Sequence, residues 1–324
     1  MKALITGVTG FAGSYLAEDL LARPGVEVFG WKRWNSPLDN LATVLDRVTL
    51  FDVDIADPYA VRRGLEEVRP DRIFHLAALS YVPASFRSPH DAVRVNALGT
   101  LALLEAVRGS GLDPLVHVCS SSEVYGQVPE DELPIHEGTP LRPHSPYGVS
   151  KVAEDLLAYQ YHVTYGLRVV RSRAFTHVGP RGRDLTAMPA FARQIAELEL
   201  GVRKDQVIRV GNVDSMRTFA DVRDIAAAYW LLTEHGTVGE PYNIAGRHTC
   251  TIGEMLDALL AMSNLRPRIE VDPSLLRPSD VTRQVADASK FRRATGWEPH
   301  VPFDRTLREV LDYWRARVAR LGRG

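Results

Sequence analysis

Cysteine is scarce in this chain. Cys119 and Cys250 are the only two in 324 residues, and no C-x-x-C pair occurs. That excludes a disulfide scaffold and a cysteine-based zinc site, and no other metal-ligating cluster stands out. An excess of one charge is also missing: 39 basic residues face 40 acidic ones, for a formal charge of -1. There is then no global electrostatic case for nucleic acid or an anionic membrane, although local basic sites remain open. No apolar run approaches the ~20 residues of a membrane span. The opening MKALITGVTGFAG is apolar enough to suggest a signal peptide, but its interleaved glycines spoil the required helix. Low-complexity stretches and short repeats are absent as well. The expectation is a reduced, soluble, cytoplasmic protein with 45% hydrophobic residues, organised as one large α/β domain or two intimate ones.

What is present is alternation. Apolar runs at 2–6, 26–30, 48–51, 72–76, 115–119 and 168–173 read as strands. Helical spacing of apolar residues fills 13–21, 60–68, 97–108 and 146–165 between them. That order predicts a doubly wound α/β fold with a parallel sheet. Beyond it come a Gly/Arg-rich loop at 179–184, helices at 188–200, 222–235 and 303–321, and short strands at 207–210 and 242–244. Residues 265–285, rich in Pro, Arg and Asp, read as irregular. The expected division is a dinucleotide-binding domain of 1–173 plus about 219–245. A smaller interleaved α/β substrate lobe would take about 174–218 and 246–324.

Three motifs carry chemistry. Gly7, Gly10 and Gly13 sit between the first strand and its helix. Glycines there allow a tight turn and close approach of the backbone to a pyrophosphate, which the helix N-terminus would attract. At the end of the second strand, where an acidic residue would hold the ribose hydroxyls of NAD, the chain has Gly30, Trp31, Lys32 and Arg33. Cations there favour NADP over NAD, with NAD still open; Lys32 and Arg33 also read as plain solvated loop charges. Asp54 is placed to accept from an adenine amino group, or simply to cap a helix.

Tyr147 and Lys151, four residues apart on one helix face, form the second motif. The ammonium is expected to lower the phenol's pKa and make Tyr147 an acid/base near neutrality. The third is the turn Cys119-Ser-Ser-Ser-Glu123, at the C-terminal end of a strand where ligands of such sheets bind. Ser121 is placed to hydrogen-bond a substrate oxygen, and Glu123 adds a carboxylate; Ser120 and Ser122 also read as caps of their own turn.

With His75-Leu-Ala-Ala78 and Asn96, these motifs resemble the extended short-chain dehydrogenase/reductases along essentially the whole chain. Ser145-Pro-Tyr147, Arg173 to Pro180, Val210-Gly-Asn212, Arg217, Asp221 to Asp224 and Arg277-Pro-Ser279 resemble the GDP-mannose branch, which contains 4,6-dehydratases and 4-keto-6-deoxymannose reductases. The resemblance implies a Rossmann fold binding NADP through Gly7, Gly10, Phe11, Gly13, Lys32, Arg33, Asp54, Ile55, Leu76, Ala77 and Ala78, with Tyr147 and Lys151 at the nicotinamide end. It implies catalysis by Ser121, Glu123, Tyr147 and Lys151. A GDP-linked hexose would meet Ser80, Ser121 and Thr176 at the sugar, and Arg183, Arg217 and Arg277 at the nucleotide. Thirty-four of the 39 basic residues are Arg, so the motif match alone singles these three out. A homodimer or homotetramer is implied too; Val149, Val152, Leu156 and Leu157 suit either helix pairing or packing on the sheet. Two positions depart from the pattern: Thr176 replaces a common Asn, and Thr218 a common Asp.

The reaction stays open between two readings. A dehydratase would use Tyr147 at the C4 hydroxyl and Glu123 at C5–H, with loss of the C6 hydroxyl as water. A reductase would need only a proton from Tyr147 and gives Glu123 no task. Lys32 to Ser36 with Asn40 resembles the dehydratases, whereas the length, Asn96, Leu133 to Ile135 and Asp221 to Asp224 resemble the reductases. The expectation falls on the dehydratase, then the reductase, then a nucleotide-sugar 4-epimerase. A catalytically silent NADP(H)-sensing protein is the alternative from another class, and the presence of both Tyr147 and Lys151 argues against it.

Overall fold

The computed structural model describes residues 1–321. The first half alternates β1 (Lys2–Thr6), α1 (Phe11–Leu21), β2 (Glu27–Lys32), β3 (Val48–Asp52), α2 (Pro58–Val68) and β4 (Arg72–His75). Short helices α3 (Val82–Arg87) and α4 (Pro89–Ala92) lead through a π-helical turn, Val93–Leu98, into α5 (Gly99–Ser110). Then come β5 (Leu115–Cys119), α6 (Pro146–Tyr165) and β6 (Val169–Ala174). The second half runs β7 (Thr176–Val178), α7 (Ala187–Glu199), β8 (Val207–Val210), β9 (Met216–Asp221), α8 (Val222–His235) and β10 (Pro241–Ile244). It ends with β11 (His248–Thr251), α9 (Ile252–Leu260), β12 (Arg268–Val271), β13 (Arg283–Gln284), α10 (Ser289–Thr295) and α11 (Phe303–Leu321).

Seven strands in the order β10-β6-β5-β4-β1-β2-β3 form one parallel sheet. Side chains of successive strand residues point to opposite faces. Ala3 and Ile5 therefore join α1 and α8 through Leu16, Leu20, Ile225 and Tyr229, while Leu4 joins α2, α5 and α6 through Leu65, Leu103 and Tyr161. Both faces are covered, which is why the strands read as unbroken apolar runs. The strand order reverses between β1 and β4, and that edge opens the crevice of such sheets.

A second sheet is centred on β9. It pairs antiparallel with β11 on one side; on the other, β13 pairs with Met216 and Arg217, and β7 with Phe219 to Asp221. Helices α7, α9 and α11 pack over this sheet and β8 around Phe191, Ile208, Leu256 and Trp314. The segment expected to be irregular, 265–285, contains β12, all four of whose residues are exposed, paired parallel with β8, and also the two-residue β13. Strand β2 runs two residues further than its apolar run, because Lys32 keeps register with Asp52 of β3. Among the described residues, no helix is long and apolar enough to cross a membrane.

Helix α6 begins and ends where its sequence says it should. Ser145 accepts from the Gly148 N–H, Pro146 occupies the first turn, and Gly166 closes the helix at a φ of 72°. Asp155, fully buried on α6, fastens it to the sheet: Arg171 donates at 2.5 Å, and Arg173 at 2.9 and 3.1 Å. Arg173 also reaches the Tyr125 hydroxyl and the Glu137 carbonyl. Deleting that carboxylate leaves two buried cations without their counter-ion. Asp155→Ala is expected to cost about 3–5 kcal/mol in urea unfolding.

Candidate active site

The glycine loop is closed by contact rather than by side chains. Gly7 has a φ of 71° and its N–H donates to the Trp31 carbonyl; a Cβ on it would lie 2.9 Å from Ala77 Cα. A Cβ on Gly13 would lie 2.4 Å from the Gly7 carbonyl oxygen. Helix α1 starts at Gly10 without a side-chain cap and with no acidic residue in its first turn. Its first N–H groups are thus left for an anion, as at phosphate-binding helix ends. Phe11, at the helix start, stacks on His177 with ring centroids 6.0 Å apart.

Behind the loop runs a buried polar chain. Thr6 Oγ1 accepts from the N–H groups of Leu76 and Ala77 and lies 2.8 Å from His75 Nδ1. His75 Nε2 meets Thr100 Oγ1 at 2.9 Å, and Thr100 donates to the Asn96 carbonyl. Asn96 clamps Leu79 through both its N–H and its C=O, and donates to Ser150 on α6. Leu76, Ala77 and Ala78 are thereby held half-buried beside the glycine loop, and Ile55 is buried nearby in the core.

Tyr147 and Lys151 are both buried on the first turns of α6. The Tyr147 phenol lies near Ser121, which acts to lower its pKa; Ser121 Oγ accepts from the Glu123 N–H at 3.2 Å. Lys151 Nζ donates to the Cys119 carbonyl at 2.7 Å and to Glu154 Oε2 at 2.8 Å. The Ser-Ser-Ser-Glu turn lies directly on α6: a Cβ on Gly148 would come within 2.8 Å of the Glu123 carbonyl. Glu123 Oε1 accepts from Gln284 Nε2 at 3.4 Å, and the other end of that amide takes the Ser122 hydroxyl.

Burial, not charge, sets most protonation states here. The expected fall of the Tyr147 pKa is corrected: Lys151 does pull it down, but burial is the larger effect and the net shift is upward. Burial likewise raises the Cys119 thiol and drives His75 and His117 down to about 3, so both imidazoles stay neutral.

The remaining candidates scatter. Lys32, proposed for a 2′-phosphate, is ion-paired with Asp52 across β2 and β3, so its charge is already matched. Arg33 is exposed and in no ion pair among the described residues. Asp54 is exposed and caps its own turn by accepting from the Ala56 N–H; Asp57 caps α2. Arg217 and Arg277 converge on Asp280 at 3.9 and 3.8 Å, and Arg217 also donates to the Val281, Met216 and Thr282 carbonyls. Arg183 and Ser80 are exposed and do not join that cluster. Thr176 pairs with Phe219 at the seam between the sheets. Thr218 shares a hydrogen bond with Thr249 and accepts from the Ala286 N–H. Asp221 and Asp224 turn out to be structural: Asp221 caps α8 and binds Thr306, and Asp224 accepts from His300 and Val301. Gln284 and Glu154 carried no motif and were missed. An acid one turn past Lys151 was the available signal for Glu154.

The neutral histidines make a measurable demand on pH. An unfolded imidazole titrates near ~6.5. Below that, the unfolded chain takes up protons that folded His75 and His117 refuse down to about 3, so stability falls with falling pH. Each contributes a loss of about 1.4 kcal/mol per pH unit. His117→Asn is expected to flatten the slope of unfolding free energy between pH 6 and 5 by about that amount, read from urea titrations.

The sequence profile described as GDP-mannose 4,6 dehydratase matches residues 4–310. The chain is 34% identical over 317 residues to the GDP-6-deoxy-D-mannose reductase of Pseudomonas aeruginosa, covering 98% of each chain. It is 31% identical to GDP-mannose 4,6 dehydratase 1 of Arabidopsis thaliana, covering 96% of this chain and 88% of that one. Among solved structures, RMD from Pseudomonas aeruginosa complexed with NADPH superposes with a TM-score of 0.83 at 32% identity, covering 98% of this chain and 99% of that one. The UDP-glucose 4-epimerase of Thermus thermophilus, complexed with NAD, gives 0.86 at 32% identity, covering 97% and 99%. With its glycine loop, its Tyr147–Lys151 helix and a profile match over nearly its whole length, the chain belongs to the GDP-mannose 4,6 dehydratase family of the extended short-chain dehydrogenase/reductases.

Proposed function

We propose that this protein is an NADP-dependent enzyme acting on a GDP-linked hexose, and that its reaction is the 4,6-dehydration of GDP-mannose. The observation that carries this reading is Glu123, a carboxylate on the turn that also carries Ser121 beside Tyr147, and one that accepts from Gln284. The seven-stranded sheet would hold the dinucleotide, with 1–173 plus about 219–245 as that domain. The lobe of about 174–218 and 246–324 would hold the nucleotide sugar. The glycine loop and uncapped start of α1 fit a pyrophosphate. With Lys32 committed to Asp52, Arg33 is the cation left for a 2′-phosphate.

Bound NADP supplies the hydride chemistry at the sugar. Around it, Tyr147 as the phenolate would take the C4 hydroxyl proton; the Lys151 ammonium stabilises that phenolate against the burial that disfavours it. Ser121 hydrogen-bonds the C4 oxygen. Once C4 is a ketone, C5–H becomes acidic; Glu123 would take that proton and pass one to the C6 hydroxyl, which leaves as water. With the hydride returned to C6 and a proton to C5, the 4-keto-6-deoxy sugar would form and the cofactor would end oxidised. Arg217 and Arg277, gathered by Asp280, would grip the GDP moiety.

A reductase is the second reading. The P. aeruginosa reductase aligns over 98% of its length, more than the dehydratases do, and burial keeps Tyr147 in the protonated form that a ketone reductase needs. Supplied with GDP-mannose and catalytic NADP+, the protein is expected to release one water per sugar with no net cofactor reduction, seen by mass spectrometry. Glu123→Gln should stall before water loss, and Tyr147→Phe should slow turnover by about 10²–10⁴-fold. An unchanged mass, with gain of two hydrogens by the 4-keto-6-deoxy sugar under NADPH, would replace the lead reading with the reductase.

We also propose a homodimer in the cytoplasm. On α6, Val149, Leu156 and Val163 are exposed, Val163 to 62%, whereas Val152 and Leu157 pack inward. Both cysteines are free thiols, as in a reducing compartment. Leu156→Glu is expected to halve the mass measured by light scattering.

A further inference from the structure

Glu154 lies one turn beyond Lys151 on α6, and the reaction above assigns it no task. Its side chain is 1% exposed. Oε2 accepts from Lys151 Nζ, while Oε1 has no hydrogen-bond partner among the described residues. A buried carboxylate with half its lone pairs unused is a poor packing element, and an apolar side chain of similar volume usually serves stability better. Its presence points to a task.

The surroundings of Lys151 define that task. An ammonium has three N–H donors. One goes to the Cys119 carbonyl and one to Glu154, which leaves a single donor free. The other groups around it are Tyr147 on α6, His75 on β4, and His117 and Cys119 on β5, with Tyr229 of α8 behind Cys119, all held neutral by burial. Asp155, next to Glu154, is committed to Arg171 and Arg173. Glu154 is therefore the one carboxylate placed to balance Lys151: burial pushes its pKa up to about 7, and the ammonium beside it pulls the other way. Without it, burial, the largest effect on the ammonium, would lose its main opponent and pull Lys151 toward the neutral amine.

We propose that Glu154 is a positioning residue that keeps Lys151 charged and fixed against the Cys119 carbonyl, so that its third N–H points to the dinucleotide ribose or to Tyr147. The inference rests on the oxidoreductase reading of this site, but not on the choice between dehydratase and reductase. Glu154 touches neither substrate nor cofactor; it acts through Lys151.

A double-mutant cycle tests this. Wild type, Glu154→Leu, Lys151→Met and the double variant are compared in NADPH affinity, by fluorescence of the bound reduced nicotinamide, in turnover of the GDP-sugar, and in Tm. Glu154→Leu is expected to lower kcat at least tenfold and weaken NADPH binding, and to lower Tm by leaving the buried ammonium without its counter-charge. In the Lys151→Met background, the same change should alter neither rate nor affinity, and should raise Tm by removing an unpaired carboxylate. Glu154→Gln keeps an acceptor without the charge; it should fall between wild type and the leucine variant, and it carries the cycle if leucine prevents folding. Equal losses in both backgrounds would overturn the proposal, as would wild-type affinity and rate in Glu154→Leu. If the wild type turns over no GDP-hexose, the functional reading fails by itself, and NADPH affinity across the four proteins still decides the role of Glu154.

Discussion

The active site depends on the direction of one buried hydrogen-bond chain. Thr6 Oγ1 already accepts two backbone N–H groups, so its own proton must go to His75 Nδ1. That forces the His75 proton onto Nε2, where it is donated to Thr100, and sends the Thr100 proton to the Asn96 carbonyl. Asn96 then has its amide oriented by Leu79 and extends the chain to Ser150 of α6. No member can be reversed without leaving a buried donor or acceptor unpaired, which is costly in a low-dielectric interior. The end of β1, the loop beside the glycine turn and the helix bearing Tyr147 are thereby locked into one geometry. A protonated His75 would break the chain at Thr6, so burial that keeps this imidazole neutral is a condition of the architecture.

The same burial concentrates electrostatic effect. Around the reacting end of the crevice, Tyr147, Cys119, His75, His117 and Tyr229 are all neutral, and Lys151 with Glu154 is the only charged pair among them. A single ammonium in such surroundings exerts a far stronger field than it would in water. That field is what a phenolate at Tyr147 would call on during proton transfer, when its charge appears with no solvent to meet it. Burial thus raises the resting pKa of Tyr147 and also strengthens the Lys151 interaction that opposes it. The preference for phenolate arises only as the proton is being moved.

How much of this was legible follows from where the information sits. The bounds of β5, α6, α8 and α11 could be read from the chain because local signals set them: apolar runs, Ser145 and Pro146 at one helix start, Gly166 at its end. The Tyr147–Lys151 pair was legible because helix geometry alone brings i and i+4 together. The second sheet was not, because β7, β9, β11 and β13 are short and partly polar and owe their conformation to one another. The ion pair of Lys32 was not legible for a similar reason. Its partner Asp52 lies on a neighbouring strand, and only register puts them side by side. Gln284 was invisible because a lone glutamine in a Pro- and Arg-rich stretch has no pattern; its meaning comes from a carboxylate 161 residues away.

That last contact locates the choice between the two reactions. The Tyr147–Lys151–Ser121 cluster belongs wholly to the first sheet and its helix, and it would serve oxidation or reduction at C4 equally well. Glu123 sits on the same turn, but its carboxylate is oriented from the second sheet. Gln284 belongs to β13, which pairs with β9 beside Arg217, the arginine that also reaches toward Asp280 and the Val281 carbonyl. The amide of Gln284 has no freedom to flip: its oxygen takes the Ser122 hydroxyl and its nitrogen serves Glu123. Elimination across C5 and C6 needs a carboxylate fixed relative to the sugar, whose nucleotide end those arginines are proposed to grip. A plain ketone reduction makes no such demand. On the proposed roles, the difference between the two chemistries would be set at the seam between the sheets, by how firmly β13 holds Glu123, and not by the acid–base pair that both reactions would share.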